Sequence, residues 1–341
     1  MDIDIVVTWV DGSDPEWRNE KRKYLPGNTD GDNDERFREW GLIRYWFRCI
    51  EKNAPWVRKI HFVTWGHLPK WLDTSNPRLH IVNHKDYLPE EARPCFNSTL
   101  LERYFHKIPG IAEHFVYFND DFYLLGVVDK DFFFKNGLPK DMLAFQPVVA
   151  NPSNPVMSHH FLNNTLVLSK YFDKRKNVMQ HKGNYFHIGY PPLYFFYNML
   201  ELGFPRYTGL YSVHNATPFL KSVYERVWEK EGDYLRSLDG NHFRDDTDVN
   251  QYLFREWGKL EGKFVPANVT RHVMYSEMSD DNNKLLRLIA DGGKRSLKPD
   301  IKMLCLNDTG LVSDNEKVAA DFIKAFEKAF PEPCSFEKKD L

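Results

Sequence analysis

The sequence predicts an α/β fold, a mostly parallel sheet with flanking helices. Short runs of β-branched and aromatic residues alternate with stretches of helical spacing, and several of those runs stop at turns rich in Asp and Asn. Length adds a third observation: 341 residues, 42% of them hydrophobic, can bury a sizeable core without disulfide or metal staples.

Residues 2–10 form the first run and read as a buried strand that stops at the turn Asp11-Gly12-Ser13-Asp14-Pro15. An acidic loop over 26–35 comes next. Its Asp30, Asp32 and Asp34 have the spacing of a calcium loop, but Glu35 stands where the turn glycine belongs and Gly41 where the bidentate Glu belongs. It reads as a surface loop. A helix is expected over 37–53, strands over 59–64 and 78–82, and a helix over 99–107. Residues 115–118 read as a strand running into Asn119-Asp120-Asp121. The stretch 127–210 is rich in aromatics, Pro and Asn and has no clean period. Helices over 218–231 and 247–257 follow, then a strand over 301–306 that ends in Asn307-Asp308. The last helix, 315–330, carries Val318, Phe322, Ile323, Phe326 and Phe330 at helical spacing. With no internal repeat and no low-complexity linker, one elaborated domain over 1–341 is expected.

Composition excludes several classes. Forty-six Lys and Arg against 48 Asp and Glu give a formal charge of −2, which disfavours nucleic acid as the main partner. No apolar run approaches the ~20 residues that span a bilayer, and Asp2 and Asp4 interrupt any leader-like start. The four cysteines, Cys49, Cys95, Cys305 and Cys334, form no CxxC pair, which argues against a disulfide framework or structural zinc and fits a reducing cytoplasm. Sequons at Asn97, Asn163, Asn215, Asn268 and Asn307 point the same way, because glycans there would block the polar clusters that carry chemistry.

Those clusters lie just beyond the strand ends, where ligands bind in open α/β sheets. Asp11 and Asp14 follow the first strand, Asp120 and Asp121 the fourth, Asn307 and Asp308 the last. Any one of these is equally well a turn-forming residue. If the three tips converge, their carboxylates raise one another's pKa and call for a cation. An oxygen-only set points to Mg²⁺ or Mn²⁺ rather than zinc. His214 precedes Thr217-Pro218, and Arg244 precedes Asp246-Thr247, both read as helix starts that would suit a diphosphate. Taken alone, each is more often an ordinary loop side chain, with Arg244 pairing locally with Asp245 or Asp248. Glu102 closes a Thr99-x-x-Glu102 capping box, and Arg44 and Arg48 lie one turn apart on a charged helix face.

The opening string from Asp2 to Pro15 resembles the first block of the Stealth family of sugar-1-phosphate (hexose-1-phosphate) phosphotransferases. That family includes bacterial capsular and cell-surface polysaccharide enzymes and the catalytic core of GlcNAc-1-phosphotransferase. Further matches are Arg36-Phe-Arg38, Leu42-Ile-Arg44-Tyr45, Ala54-Pro-Trp-Val-Arg58, Phe62-Val-Thr-Trp-Gly66, Phe96-Asn-Ser98 and Phe118-Asn-Asp-Asp121. His214-Asn-Ala-Thr-Pro218, Phe243-Arg-Asp-Asp246 and Cys305-Leu-Asn-Asp308 resemble the later blocks.

The resemblance implies a Rossmann-like or GT-A-like core with elaborations, carried by 1–126, 205–260 and 300–335, with 127–204 as a substrate-shaping insertion. It implies transfer of a hexose-1-phosphate, such as GlcNAc-1-phosphate, from a UDP-sugar to a hydroxyl of a glycan acceptor, releasing UMP. Asp4, Asp121, His214 and Arg244 are then the expected catalytic residues. Trp9, Asp11, Gly12, Asp14, Arg44, Glu102 and Asn119 are expected around the donor, and Asp120, Asp121, Asn307 and Asp308 around Mg²⁺ or Mn²⁺. The expected partners are a nucleotide sugar and a glycan, in the cytoplasm or peripherally at the cytoplasmic face of the membrane beside a capsule assembly. Two other classes stay open: a metal-dependent glycosyltransferase that releases UDP, and a non-catalytic carbohydrate-binding protein.

Overall fold

A computed structural model describes residues 1–25, 37–308 and 310–339. The acidic loop read over 26–35, with Asp30, Asp32 and Asp34, lies outside the described residues, as does Arg36. In chain order the elements are β1 (Ile3–Trp9), α1 (Pro15–Tyr24), α2 (Ile43–Asn53), β2 (Ile60–Thr64), β3 (Leu79–Asn83), α3 (Ser98–Arg103), β4 (His114–Asn119) and β5 (Phe122–Leu124). Next come β6 (Phe134–Lys135), β7 (Leu138–Asp141), α4 (Pro155–Tyr171), α5 (Lys174–Gln180), α6 (Lys182–Tyr185), α7 (Pro192–Glu201), β8 (Thr217–Leu220), α8 (Lys221–Ser237) and α9 (Tyr252–Leu260). The chain ends with β9 (Val265–Pro266), β10 (Val273–Glu277), α10 (Asn283–Ala290), β11 (Met303–Asn307) and α11 (Asn315–Ala329).

The main sheet has the order β3-β2-β1-β4-β8. Its first four strands are parallel, and β8 closes the edge antiparallel to β4. Parallel strands are covered on both faces, which is why β1 is buried almost throughout, Asp4 included, rather than at alternate positions. Along β4 the two faces separate by the two-residue period. Phe118 meets Trp46 of α2, while Phe115 and Tyr117 meet Tyr224 of α8 and Phe105. Because β1 feeds β2 and β3 on one side and neighbours β4 on the other, the order reverses between β1 and β4. That is the topological switch point, where a crevice opens at the carboxyl ends.

A second sheet, β10-β11-β5, is joined to the first through the tight turn at Asp120 and Asp121. Since β5 runs antiparallel to β11, with Phe122 opposite Cys305, the carboxyl end of β11 comes back to that turn. A small sheet, β6-β7-β9, lies to the side. No helix among the described residues is long and apolar enough to cross a membrane.

Three element expectations change. The helix expected over 37–53 starts at Ile43, because Gly41 sits at φ +75°; residues 37–42 instead form an irregular strap. Thr217-Pro218 begins strand β8 rather than a helix, with Pro218 opposite Val116 at the sheet edge, where a missing N–H is tolerated. The helix expected from 247 starts at Tyr252, and residues 245–250 are wound around the buried Asp248 carboxylate, which accepts from Asn97, Thr99, Arg103, Asn241 and the Asp245 N–H.

Candidate active site

β1 delivers Trp9, its last residue, to the switch point. The indole stacks on Phe62 and donates Nε1–H to Glu39 on the strap. Beyond it the Asp11 N–H donates to His67 Nε2 at 2.8 Å, while Asp11 Oδ1 takes the N–H and hydroxyl of Ser13. Gly12 is needed for close approach: a Cβ there would lie 2.3 Å from the Phe37 carbonyl, which the Gly12 N–H already binds at 2.8 Å. Asp14 caps α1 through the Trp17 N–H. The polar turn therefore has a structural use at each of its three positions, and it forms one wall of the crevice with His67 and Trp65.

Across the switch point, Thr8 pairs with Asn119, so the tip of β4 stands beside that of β1. Asp120 and Asp121 follow. Burial, with the charges of Asp121 and Glu39 added, pushes the Asp120 carboxyl well above the usual carboxylate range. Burial raises Asp121 to about 7, even though the Cys305 thiol points at its Oδ2 from 3.6 Å. Its Oδ1 is sealed from solvent and has no hydrogen-bond partner, and the same holds for Asn119 Oδ1, Asn215 Oδ1 and Gln251 Oε1. Buried acceptor oxygens without donors cost ~1–3 kcal/mol each. Four of them on residues at and flanking one site suit a cation or a ligand with hydrogens to give.

His214 arrives on the segment before β8, between the rings of Phe122 (5.1 Å) and Tyr275 (6.1 Å). Its Nδ1 shares a hydrogen bond of 3.0 Å with the Tyr252 hydroxyl. Burial, then the positive charges of Arg244 and Arg255, lowers its pKa to about 4, so the ring is neutral at pH 7. One ligand atom each from Asp121, His214 and Cys305 lie within 4.8 Å of one another. Arg244 is exposed and donates to Ser98 Oγ at 2.8 Å. Its charge is felt at His214 and at Glu102.

Glu102 does not close a capping box. Asn97 caps α3, and Glu102 is buried within that helix, accepting from the Gln251 N–H at 3.0 Å and facing Tyr117 Oη at 3.4 Å. Burial raises it to about 7. Its Gln251 and Arg244 contacts place it on the His214 side of the crevice.

Other expected residues are not brought to this point. Asp4 sits four residues before Thr8 on β1, roughly 13 Å back along the strand, fully buried against Arg58, His61 and the Ala112 N–H. Burial alone would raise its pKa, but those hydrogen bonds hold it below the usual range. Arg44 pairs with Glu337 at 3.4 Å and lies over Trp71, a tie to the carboxyl-terminal segment. Asp308 turns to the strap, accepting from Arg38 and Trp40 at 3.1 Å each and from the Gly310 N–H. Among the described acidic, His and Cys residues, His214 and Cys305 group with Asp121, and Asp308 does not. The tips of β1, β4 and β11 approach one another, with an imidazole and a thiol beside the Asp121 carboxyl. The Cys305 thiol is itself pushed up by burial and by Asp121, which keeps it a neutral S–H.

Glu39, His67, Tyr252 and Cys305 touch Trp9, Asp11, His214 and Asp121 and were not among the expected site residues. Gly41 within an expected helix was a usable signal for the strap. His67 and Tyr252 carry no local signature, being set by partners far away in the chain, whereas Cys305 opens the matched string Cys305-Leu-Asn-Asp308.

A family model described as Stealth protein CR1, conserved region 1, matches residues 1–29, and one described as Stealth protein CR2, conserved region 2, matches residues 36–141. The chain is 36% identical over 341 residues to the capsular polysaccharide phosphotransferase WcwK of Streptococcus pneumoniae, covering 98% of this chain and 99% of that protein. It is 35% identical to the receptor polysaccharide phosphotransferase WefC of Streptococcus gordonii over 98% of each chain. Identity to the exopolysaccharide phosphotransferase cps2G of Lactiplantibacillus plantarum is 34%, over 99% of this chain and 97% of that one.

Proposed function

From a chain that belongs to the Stealth family, we propose a phosphotransferase that moves a hexose-1-phosphate from a UDP-sugar onto a hydroxyl of a capsular or cell-surface polysaccharide acceptor. The observation that carries this reading is the pair Asp120–Asp121 at the switch point, both with raised carboxyls, facing a neutral His214 across the crevice. An acceptor oxygen forms a new bond to the sugar-bearing β-phosphorus as the bridging P–O bond breaks. UMP leaves with the bridging oxygen, and the acceptor's proton passes to a base.

The residues present fit a divalent cation: a carboxylate with an orphaned buried oxygen, a second carboxylate beside it, and an imidazole within 4.8 Å. Asp121, Asp120 and His214 would hold it. Mg²⁺ or Mn²⁺ bound there would neutralise the diphosphate and the leaving UMP. The chain's own groups do the rest. Trp9, Asp11 and His67 line the wall for the nucleotide. Arg244, free to swing from Ser98, holds the transferred phosphate. With His214 given to the cation, Glu102 accepts the proton, its carboxyl poised at about 7. A cytoplasmic enzyme, peripheral at the membrane beside a capsule assembly, fits this reading.

The test is the nucleotide product. With UDP-sugars, Mg²⁺ and candidate acceptors, the expected product is UMP. UDP as sole product would mean attack at the anomeric carbon and would defeat the proposal.

A further inference from the structure

Helix α7 is built inside out. Its two buried residues are polar: Asn198 accepts from the Phe145 N–H and donates to the Leu143 and Tyr185 carbonyls, and Glu201 accepts from Thr208 and pairs with Lys174. The apolar residues Leu193, Phe195, Phe196, Met199 and Leu200 face outward, each 44–57% exposed. A helix packed on a protein core shows the opposite arrangement. The feature extends beyond one helix, because thirteen of the nineteen large apolar side chains exposed among the described residues lie within 149–204. So many exposed apolar side chains in one segment, with the outward face of α7 at its end, point to a surface that meets something apolar.

Charge says what that is. Residues 151–206 contain six Lys and Arg against two acids, in a chain whose total is −2. Both acids are engaged, Asp173 as the cap of α5 and Glu201 with Lys174. Arg175, Lys176, Lys182 and Arg206 are exposed, and none makes an ion pair among the described residues. Exposed aromatic and aliphatic side chains in the same segment as four exposed cations that make no ion pair among the described residues suit an anionic lipid surface. A second copy of the chain would bring like charges together. Ten residues of helix reach about 15 Å, half a bilayer core, so α7 lies in the interface and does not cross it.

We infer that α7 and its cationic surround form a docking surface for anionic phospholipid. This deepens the peripheral placement offered above by naming the surface. Tyr194 of α7 packs on Tyr211 at 4.3 Å, three residues before His214, which ties the lipid-facing helix to the segment carrying the imidazole.

Co-sedimentation of the full chain with vesicles tests it. The wild type should pellet with vesicles of phosphatidylcholine and phosphatidylglycerol, and at least tenfold less with phosphatidylcholine alone. Phe195→Ser/Phe196→Ser/Leu200→Ser should lose the bound fraction at least tenfold while keeping its circular dichroism. Arg175→Gln/Lys176→Gln/Lys182→Gln should weaken binding by about fivefold per charge and flatten its salt dependence. Wild type left in the supernatant, or the apolar variant pelleting like wild type, would overturn the proposal. So would a dimer by light scattering that the apolar variant converts to monomer, because a second copy would then cover the face. UMP release in vesicle-free solution is independent of these results, so failure here leaves the proposed reaction standing.

Discussion

Glu102 shows how a residue's surroundings decide its chemistry. Burial holds its carboxyl at about 7, against the pull of the Gln251 N–H and the Arg244 and Arg103 charges. The sign follows from a folded pKa above the unfolded value: the carboxylate is unfavourable in the fold, so wild type loses stability relative to a neutral side chain as pH rises from about 4 through 7. Glu102→Gln keeps an acceptor for Gln251. Its Tm should match wild type at pH 5 and exceed it at pH 8. If Glu102 takes the acceptor's proton, the rate at saturating divalent cation rises with pH through 7, and the Gln variant loses that limb along with most of its turnover. Unchanged melting at both pH values would show the carboxyl to be ordinary, and an intact alkaline rise would remove it from proton transfer. The resemblance put Glu102 near the donor, while its local pattern offered only a helix cap, and it is the cap that does not form. Thr99-x-x-Glu102 has the letters of a capping box, but Asn97 reaches the Thr99 N–H first, which frees Glu102 to turn inward.

At the scale of elements, α9 is the part that aims His214. Tyr252 binds its Nδ1, and one turn on, Arg255 donates to the Val213 carbonyl at 2.8 Å while forking onto Asp141 at 2.6 and 2.9 Å. Tyr252→Phe and Arg255→Lys should each lower kcat, on the order of tenfold, with KM little changed, because both loosen the imidazole without touching the donor wall. Arg255→Ala leaves Asp141 buried and unpaired, and should cost about 3–5 kcal/mol of stability. A KM effect equal to the kcat effect would make α9 a binding element instead. How legible such elements were depends on how local their causes are. β1, β2, β4 and β11 were readable because burial on both faces writes a continuous apolar run. The start of α9 was not, since Asp248 is fixed by Asn97 and Arg103 about 150 positions earlier. Helices α4–α7 gave no clean period because α7 buries its polar residues and exposes its apolar ones, which inverts the pattern that marks a helix.

At the scale of the whole molecule, the site exists only when distant segments meet: 9–14, 37–42, 119–121, 214, 244–252 and 305. The strand tips were legible as a group because acidic residues recur after buried runs. What stands beside Asp121 was not, since β11 reaches it through an antiparallel pairing with β5 that puts Cys305, not Asp308, alongside it. The assembled fold holds Asp120 and Asp121 with raised carboxyls and one orphaned oxygen, a cluster that opposes folding once ionised. A cation that binds the folded chain and not the unfolded one should reverse that penalty. At a hundred times its Kd, Mn²⁺ adds about 2.7 kcal/mol, a rise of a few degrees in Tm for a chain of this size. Asp121 must shed a proton at about 7 before it can ligate. Because the raised Asp120 carboxyl must give up its proton as well, the apparent affinity should fall by at least about tenfold for each pH unit below 7. Asp121→Asn makes the argument two-sided. Without a cation it should melt at or above wild type at pH 8, because a buried charge is gone, and it should show no Mn²⁺ shift and no turnover. Differential scanning calorimetry of both proteins across pH 5–8, with and without Mn²⁺ or Mg²⁺, reads all of this at once. An Asp121→Asn protein that Mn²⁺ stabilises as much as wild type would place the cation elsewhere, and the strand tips would have to be explained without it.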